Sequence, residues 1–314
     1  MSGEGGKRRA TLVANAAAVG ERLDLFIARS LDGVSRKVVK KALDGGQVFV
    51  NDRTERRAGH LLLGNESITV TLDLPEPVPP APDLSILYRD EHLLAVNKPA
   101  GLPAHPTVAG RANALSLVTE LLRGEGTGTP PILLHRLDAD TTGVLLFALK
   151  DAANREMSRQ FADREVEKVY LALVTGSPPD FFQVRNFLKP GVRGRTVAVA
   201  SGGQSAETLF HTLKLTNPPL SKGVAVGLAL VEARPKTGRT HQIRVHLSGE
   251  GFPLLGDTLY SGPRLIEKGG ERLLIHRHLL HAYRLTFRHP ESGETITIEV
   301  PMPEDFEKVL SFAF

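Results

Sequence analysis

The sequence contains no cysteine, which excludes disulfides, thiolate nucleophiles and thiolate-held iron–sulfur clusters and fits a cytoplasmic address. It also has no apolar run near the roughly 18 residues that a membrane-spanning helix needs, so no membrane partner is expected. The first residues, Met1–Ser2–Gly3–Glu4–Gly5–Gly6–Lys7–Arg8–Arg9, carry no apolar stretch of the kind a secretory signal has. The Gly-rich stretch 124–130 lacks the Lys-Ser/Thr pair and the following helix of a phosphate loop, so it reads as a surface loop. His276, His278 and His281 crowd together, but no carboxylate or thiolate joins them at ligand spacing. No metal and no cofactor are therefore expected.

What is present is a chain of 314 residues, 41% apolar, long enough for two domains with separate cores. Its net charge of +4 is unevenly placed. Residues 1–72 hold 12 Lys/Arg against 8 Asp/Glu, and the rest of the chain balances at 27 of each. Positive charge gathered in one segment points to a polyanion, and RNA is the expected partner.

Residues 1–18, Gly-rich and basic and then Ala-rich, read as a flexible tail. From Arg22, Leu23, Phe26, Ile27 and Leu31 share one helical face, and Asp32–Gly33 is expected to stop that helix. Ser35 is a good N-cap for a second helix reaching Leu43, closed by Gly45–Gly46. Val38, Val39, Ala42 and Leu43 line one side of it, while Arg36, Lys37, Lys40 and Lys41 face the other. Strands follow at 47–50 and 68–72, with Asn51–Asp52 as a turn. Five prolines in residues 75–82 then mark a semi-rigid linker, placed at 74–83, and the second domain begins at Leu84.

In that domain Leu93–Leu94–Ala95–Val96–Asn97 reads as a buried strand and Ala114–Leu122 as a helix. Two apolar runs, Ile132–Leu134 and Val144–Leu149, flank the polar segment His135–Arg136–Leu137–Asp138–Ala139–Asp140–Thr141–Thr142–Gly143. A carboxylate held between core segments must be desolvated or paired, and Arg136 is the nearest candidate partner of Asp138. Asp151 is placed to cap a helix with Ala153, Met157 and Phe161 on its stripe, leaving Arg155, Arg159 and Arg164 for RNA or solvent. Val169–Val174 reads as a strand. The segment 240–247 fits either a strand or a short helix, with the helix favoured. Strands at 283–287 and 295–300 close the domain. Scattered strands with few helices argue for an α+β fold with an antiparallel-rich sheet.

The segment containing His135–Arg136–Leu137–Asp138, then Lys168–Val169–Tyr170–Leu171–Ala172–Leu173–Val174, then Gly238–Arg239–Thr240–His241–Gln242–Ile243–Arg244–Val245–His246, resembles the RluA-type pseudouridine synthases in order and spacing. Asn97–Lys98–Pro99–Ala100–Gly101 and Leu280–His281–Ala282 extend the likeness across nearly all of 84–303. The resemblance implies a pseudouridine-synthase-type mixed sheet with flanking helices over 84–314, acting on RNA without a cofactor. Arg22–Leu23–Asp24, Ser35–Arg36 and Gly46–Gln47–Val48–Phe49–Val50–Asn51 resemble an S4 module, implying a small α/β RNA-binding domain over 19–73.

By that resemblance Asp138 is the catalytic carboxylate, Tyr170 stacks on the extruded uracil and Arg244 pairs with Asp138. Arg136 fills the gap the flipped base leaves. His135, Arg239 and His241, with Arg36, Lys37, Lys40 and Lys41 of the first domain, complete the expected RNA-binding set. Asp140 is expected to be structural, and the arginines of the loop 191–204 are candidates for choosing the RNA. Large-subunit ribosomal RNA is the expected substrate and a monomer the expected state. Three other readings compete: an idle RNA-binding or ribosome-assembly factor, a synthase acting on transfer RNA, and a glycoside hydrolase using Asp138 and Asp140. The last fits poorly, because side chains two residues apart on an extended chain point the same way and do not flank a sugar.

Overall fold

The computed structural model describes residues 7–31, 34–73, 84–106, 112–126, 129–216 and 227–314. The chain divides into two compact units, Met1–Pro80 and Ala81–Phe314. The expected linker 74–83 and the expected helix stop at Asp32–Gly33 lie outside the described residues.

In the first unit, strands β1 (Lys7–Ala14), β2 (Val48–Val50), β3 (Arg53–Thr54) and β4 (Glu66–Asp73) form an antiparallel sheet in the order β1-β4-β2-β3. Helices α1 (Leu23–Ser30) and α2 (Arg36–Asp44) supply the rest of its core, where Leu23, Ile27, Val39 and Leu43 meet Val48, Ile68 and Val70. The supposed flexible tail is corrected here. Lys7 to Ala14 pair residue for residue with β4, from Lys7 opposite Asp73 to Ala14 opposite Glu66. Ala10, Leu12 and Ala14 turn toward the core and Arg9, Thr11 and Val13 turn out, a period of two that small alanines made hard to see. Ser35 takes the backbone position of an N-cap, but its hydroxyl makes no capping bond. Asn51 and Asp52 both adopt positive φ, 47° and 63°, which is the geometry of a two-residue hairpin turn.

The second unit is built on a mixed sheet. Its strands are β5 (Ser85–Arg89), β6 (Leu93–Lys98), β7 (Ile132–Leu133), β8 (Thr142–Ala148), β9 (Glu167–Thr175) and β10 (Phe181–Pro190). They continue with β11 (Thr196–Val199), β12 (Gln204–Leu215) and β13 (Leu228–Pro235). A separate hairpin, β14 (Leu265–Lys268) and β15 (Glu271–Leu274), precedes β16 (Leu280–Arg288) and β17 (Thr295–Glu299). The sheet order is β11-β10-β12-β13-β9-β16-β8-β6-β5, with β7 on β8 and β17 on β16. Among the described residues only β16 and β8 run parallel, through His281 opposite Thr142 and Ala282 opposite Gly143.

Both faces of this sheet are covered, which is why its central strands are continuously apolar instead of alternating. Leu94, Val96, Leu145 and Phe147 pack under α3 (Ala114–Gly124) through Val118 and Leu122. Their neighbours Leu93, Ala95, Val144 and Leu146 pack under α4 (Asp151–Ala162) through Ala153 and Met157. Farther along, α5 (Gln242–Gly249) lays Ile243 and Leu247 on Ala172, Val174, Val231 and Ala233. Residues four apart both buried resolve the 240–247 ambiguity in favour of the helix. On the opposite face α6 (Glu304–Ala313), not foreseen from sequence, packs Phe306 and Val309 on Leu171, Leu173 and Leu230. Asp151 is the first residue of α4 and Lys150 holds the cap position, so the carboxylate favours the helix through the dipole at its N-terminus.

Candidate active site

A cavity of about 790 Å³ opens where the α3-covered and α5-covered parts of one sheet face meet, and Tyr170 packs against both. Asp138 enters it from the turn before β8, closed by the Thr141 amide donating to the Asp138 carbonyl at 3.1 Å. The buried Leu137 anchors that turn in the core. Gly143 is required just beyond, since its φ is +115° and a Cβ there would stand 2.2 Å from the Ala282 carbonyl oxygen. Close passage of β8 and β16 thus fixes where the turn begins.

The partner of Asp138 is not Arg136. Arg136 is exposed at the cavity wall, because the buried Leu137 and the 138–141 turn send the two charges different ways. Arg244, reached from α5, donates through Nη1 to Asp138 Oδ2 at 2.8 Å. Its Nε and Nη2 form a fork on Asp257 at 2.7 and 2.9 Å, and its Cζ lies 5.0 Å from the Tyr260 ring centre. Burial alone would push this guanidinium toward neutrality, but the two carboxylates outweigh it and raise its pKa. The Arg244 and Asp257 side chains are 7% and 1% exposed, whereas Asp138 keeps 25%. The open side of the cluster is therefore the Asp138 carboxylate.

Tyr170 projects into the same cavity from β9, and burial first, then the charge of Asp138, push its phenol above its ordinary pKa. A phenol held protonated in this way offers a ring face and a hydroxyl donor. His241 takes a left-handed backbone, φ 55°, directly before α5. Its Nδ1 meets the Tyr260 hydroxyl at 2.8 Å and its Nε2 stands 3.8 Å from Asp138. Burial lowers its pKa, although Asp138 opposes that shift.

The other expected contacts divide. Arg239 borders the cavity and donates through Nε to the Ser205 carbonyl at 3.1 Å. His135 also borders it, but its Nε2 accepts the Leu146 amide at 3.2 Å and burial pushes it down to about 3, so one ring nitrogen belongs to the sheet. Arg159 is spent on Glu156, Asp163 and Glu165, which removes it from the candidates for RNA. The loop 191–204 contains β11, and Arg195 is fastened to the Leu259 carbonyl, so of its two arginines only Arg193 is without a bond among the described residues. In the first unit Arg36 is paired with Asp24 at 2.9 Å, while Lys37, Lys40 and Lys41 are exposed.

Several residues of the site were missed by sequence reasoning. Asp257 is the second anchor of Arg244, and only its place after the apolar Leu254–Leu255 hinted at it. Lys98 is fully buried at the end of β6, donating to the Pro99, Leu102 and Ala139 carbonyls at 2.7, 2.8 and 2.7 Å. Burial pushes its pKa down to about 7, against the pull of Asp140 and Asp138. It ties the residue after Asp138 to the core. Of the histidine trio, His278 and His281 bond Thr141 and Thr142, each at 2.8 Å, and His276 is exposed.

Residues 92–249 match the family described as RNA pseudouridylate synthase. An "Uncharacterized RNA pseudouridine synthase" of Aquifex aeolicus is 34% identical over 302 residues, 93% of each chain. The chain belongs to the RluA-type RNA pseudouridine synthases. As such it is an RNA-directed isomerase, and the synthase has further relatives across bacteria. A protein of Zymomonas mobilis called "Ribosomal large subunit pseudouridine synthase D" is 34% identical, with 92% of both chains covered. The solved structure of "Human RNA Pseudouridylate Synthase Domain Containing 4" superposes with a TM-score of 0.54 at 27% identity, covering 72% of the synthase and 92% of the human chain. The mixed sheet with helices on both faces is the fold of that neighbour.

Proposed function

We propose that the synthase isomerises uridines in large-subunit ribosomal RNA, with Asp138, Tyr170 and Arg244 as the residues that meet the flipped nucleotide. The observation that carries this reading is the one open carboxylate of a three-charge cluster, turned into a cavity beside a protonated tyrosine. Pseudouridine formation breaks the bond between uracil N1 and ribose C1′, turns the base and joins C5 to C1′. The C5 proton is lost and N1 ends protonated, so no outside electron acceptor is needed. Charge develops on the sugar as the bond opens, and a carboxylate fixed by Arg244 answers it at that moment. Tyr170 supplies the face on which the detached uracil stacks while it turns. Arg136, exposed at the rim, fills the stack that the base has left, since a guanidinium both stacks and bonds phosphate.

The ribosomal target follows the names of relatives such as the Zymomonas protein. The first unit acts as an S4-type RNA grip, with Lys37, Lys40 and Lys41 on the outward side of α2. The test is tritium release from C5-labelled uridine in ribosomal RNA, with Asp138→Asn as control. Equal release from both proteins, or none from the wild type, rejects the assignment of Asp138. Pseudouridine mapping across total RNA with and without the gene identifies the target, and a lost site in transfer RNA alone rejects the ribosomal reading.

A further inference from the structure

The synthase carries a group of cations at one side of the cavity that the chemistry above does not use. Lys168 stands two residues before Tyr170 on β9, so the two side chains leave the same face of the strand. Both line the cavity, as does Arg239. Along the antiparallel seam with β13, Tyr170 lies opposite Ala233, which brings Lys168 level with Pro235 and beside Lys236. Lys236, Arg164 and Arg239, in that order, are the cations whose charge bears on the Lys168 ammonium.

None of these four side chains has a carboxylate at ion-pair distance among the described residues. The nearest carboxylate in sequence, Glu167, is turned to the other face and held by Arg234 at 3.1 Å. Arg159, on the preceding helix, shows the contrasting pattern of a cation saturated by Glu156, Asp163 and Glu165. Like charges gathered around a half-buried lysine repel one another, and Glu207, whose charge reaches Arg164, is itself bonded to Arg185 at 3.1 Å and does not balance four cations. An anion from outside does.

We infer that Lys168, with Lys236, Arg164 and Arg239 around it, is a phosphate-binding subsite that seats the RNA backbone next to the extruded uridine. This rests on the reading of the cavity as the uridine site and adds a positioning function to it. Two strand residues span about 6.7 Å, a step on the scale of a single nucleotide, so a base on Tyr170 and a flanking phosphate on Lys168 fit one strand of RNA. Burial and the three neighbouring cations push Lys168 down to about 8. A bound phosphate reverses the second cause and restores the proton. The groups facing Lys168 are Lys236 at the end of β13, Arg164 after α4, Arg239 before α5 and His135 before β8. Of these, His135 is already neutral near pH 8, so Lys168 is the group that titrates there.

The test uses the full chain and a fluorescein-labelled, uridine-rich single-stranded RNA, with anisotropy read across a KCl series. Lys168→Met should weaken binding about tenfold at low salt and flatten the plot of log K against log salt by about 0.7, the value of one phosphate contact on a single strand. Lys168→Arg should keep both, and should abolish the flattening that the wild type shows as pH rises through 8. In tritium release from labelled ribosomal RNA, Lys168→Met should raise KM while leaving kcat within about threefold. An unchanged Kd and salt slope in Lys168→Met, or a fall in kcat alone, overturns the inference. Should Lys168→Met fail to fold, the exposed Lys236→Ser and Arg164→Ser must each flatten the slope, and two unchanged slopes overturn it equally. The anisotropy arm needs no turnover. Wild-type binding with these slopes but no Asp138-dependent release would sink the assignment of Asp138 and leave the phosphate site standing.

Discussion

Two clusters of arginine and aspartate, one in each unit, are built with opposite stoichiometry. In the first unit the buried Asp24 is shared by Arg22 and Arg36, whose side chains remain 46% and 59% exposed. In the second the buried Arg244 is shared by Asp257 and Asp138. The first cluster leaves a surplus positive charge facing water, as a surface for phosphates requires. The second leaves a surplus negative charge facing a cavity, as a cation-like sugar requires. The same pair of residue types leaves opposite charges open, decided by which member is buried.

The largest expected effect breaks the second cluster at its open end. Asp138→Asn keeps the volume and leaves the Arg244 fork on Asp257 intact, so the fold should persist. Tritium release should fall by about 10³-fold or more, the scale at which groups acting directly on the reacting centre are felt. Unaltered thermal melting alongside that loss is the necessary control. A tenfold loss or less would mean that another group answers the sugar.

Next come the two hidden aspartates. Asp257→Asn removes the buried carboxylate under the Arg244 fork; Asp138 still balances the guanidinium charge, but two buried N–H donors lose their charged acceptor, at a cost of about 1–3 kcal/mol. Asp24→Asn removes a buried carboxylate but leaves two arginines free to turn into water, so its cost should be about 1 kcal/mol or less. Calorimetry of the two variants reads the difference directly. Equal losses would show that exposure of the partner does not govern these clusters.

How much of this was legible in the sequence follows the same division. Asp138, Tyr170 and Arg244 were readable because each sits inside a local motif. Asp257 lies in no motif, and Lys98, though inside the Asn97–Gly101 likeness, carried no role there, because what defines each is a partner outside its own segment: Arg244 for one and the Ala139 carbonyl for the other. Helix–strand ambiguity at 240–247 resolved correctly from the spacing of Ile243 and Leu247. Strand β1 failed because alanine at its inward positions carries almost no hydropathy contrast, and its partner β4 lies over fifty residues away. Helix α6 had its signals, Pro303 followed by Glu304 and Asp305, but they stand beyond the motifs that drew attention. Arg136 is the nearest candidate partner of Asp138 by proximity, but the 138–141 turn sends the two apart, and the pairing with Arg244 that the resemblance implied is the one formed.

A pH series sharpens the contrast between the units. In the second, burial pushes His246 and His281 down to about 4, His135 to about 3 and His278 to about 2. Unfolded, each binds a proton near 6.5, so the unfolded state holds more protons below that pH. Their contribution is complete above about 6.5 and is lost progressively as pH falls toward 4. In the first unit the clearest shift is Glu55, held down to about 2 by its bond to Arg57, whose contribution is lost only as pH falls from 4.5 toward 2. Hydrogen exchange at Leu146 on β8 and Val70 on β4 should therefore part company between pH 6.5 and 5, with protection falling first at Leu146. Protection lost together, and only below 4.5, would remove the buried histidines from the account.

The smallest effect tests the outward charge of the first unit. Lys37, Lys40 and Lys41 are exposed and contribute nothing to its core, so alanine at each should leave the melting temperature unchanged within experimental error. Each should lower the slope of log K against log salt by up to about 0.9 for duplex RNA, a modest loss of affinity at moderate salt. Arg36 is the discriminating control, because Asp24 already neutralises part of its charge. Arg36→Ala should change the salt slope less than Lys40→Ala does and stability slightly more. The reverse order would mean that Asp24 releases Arg36 to the RNA, and that the first cluster opens on binding where the second stays fixed.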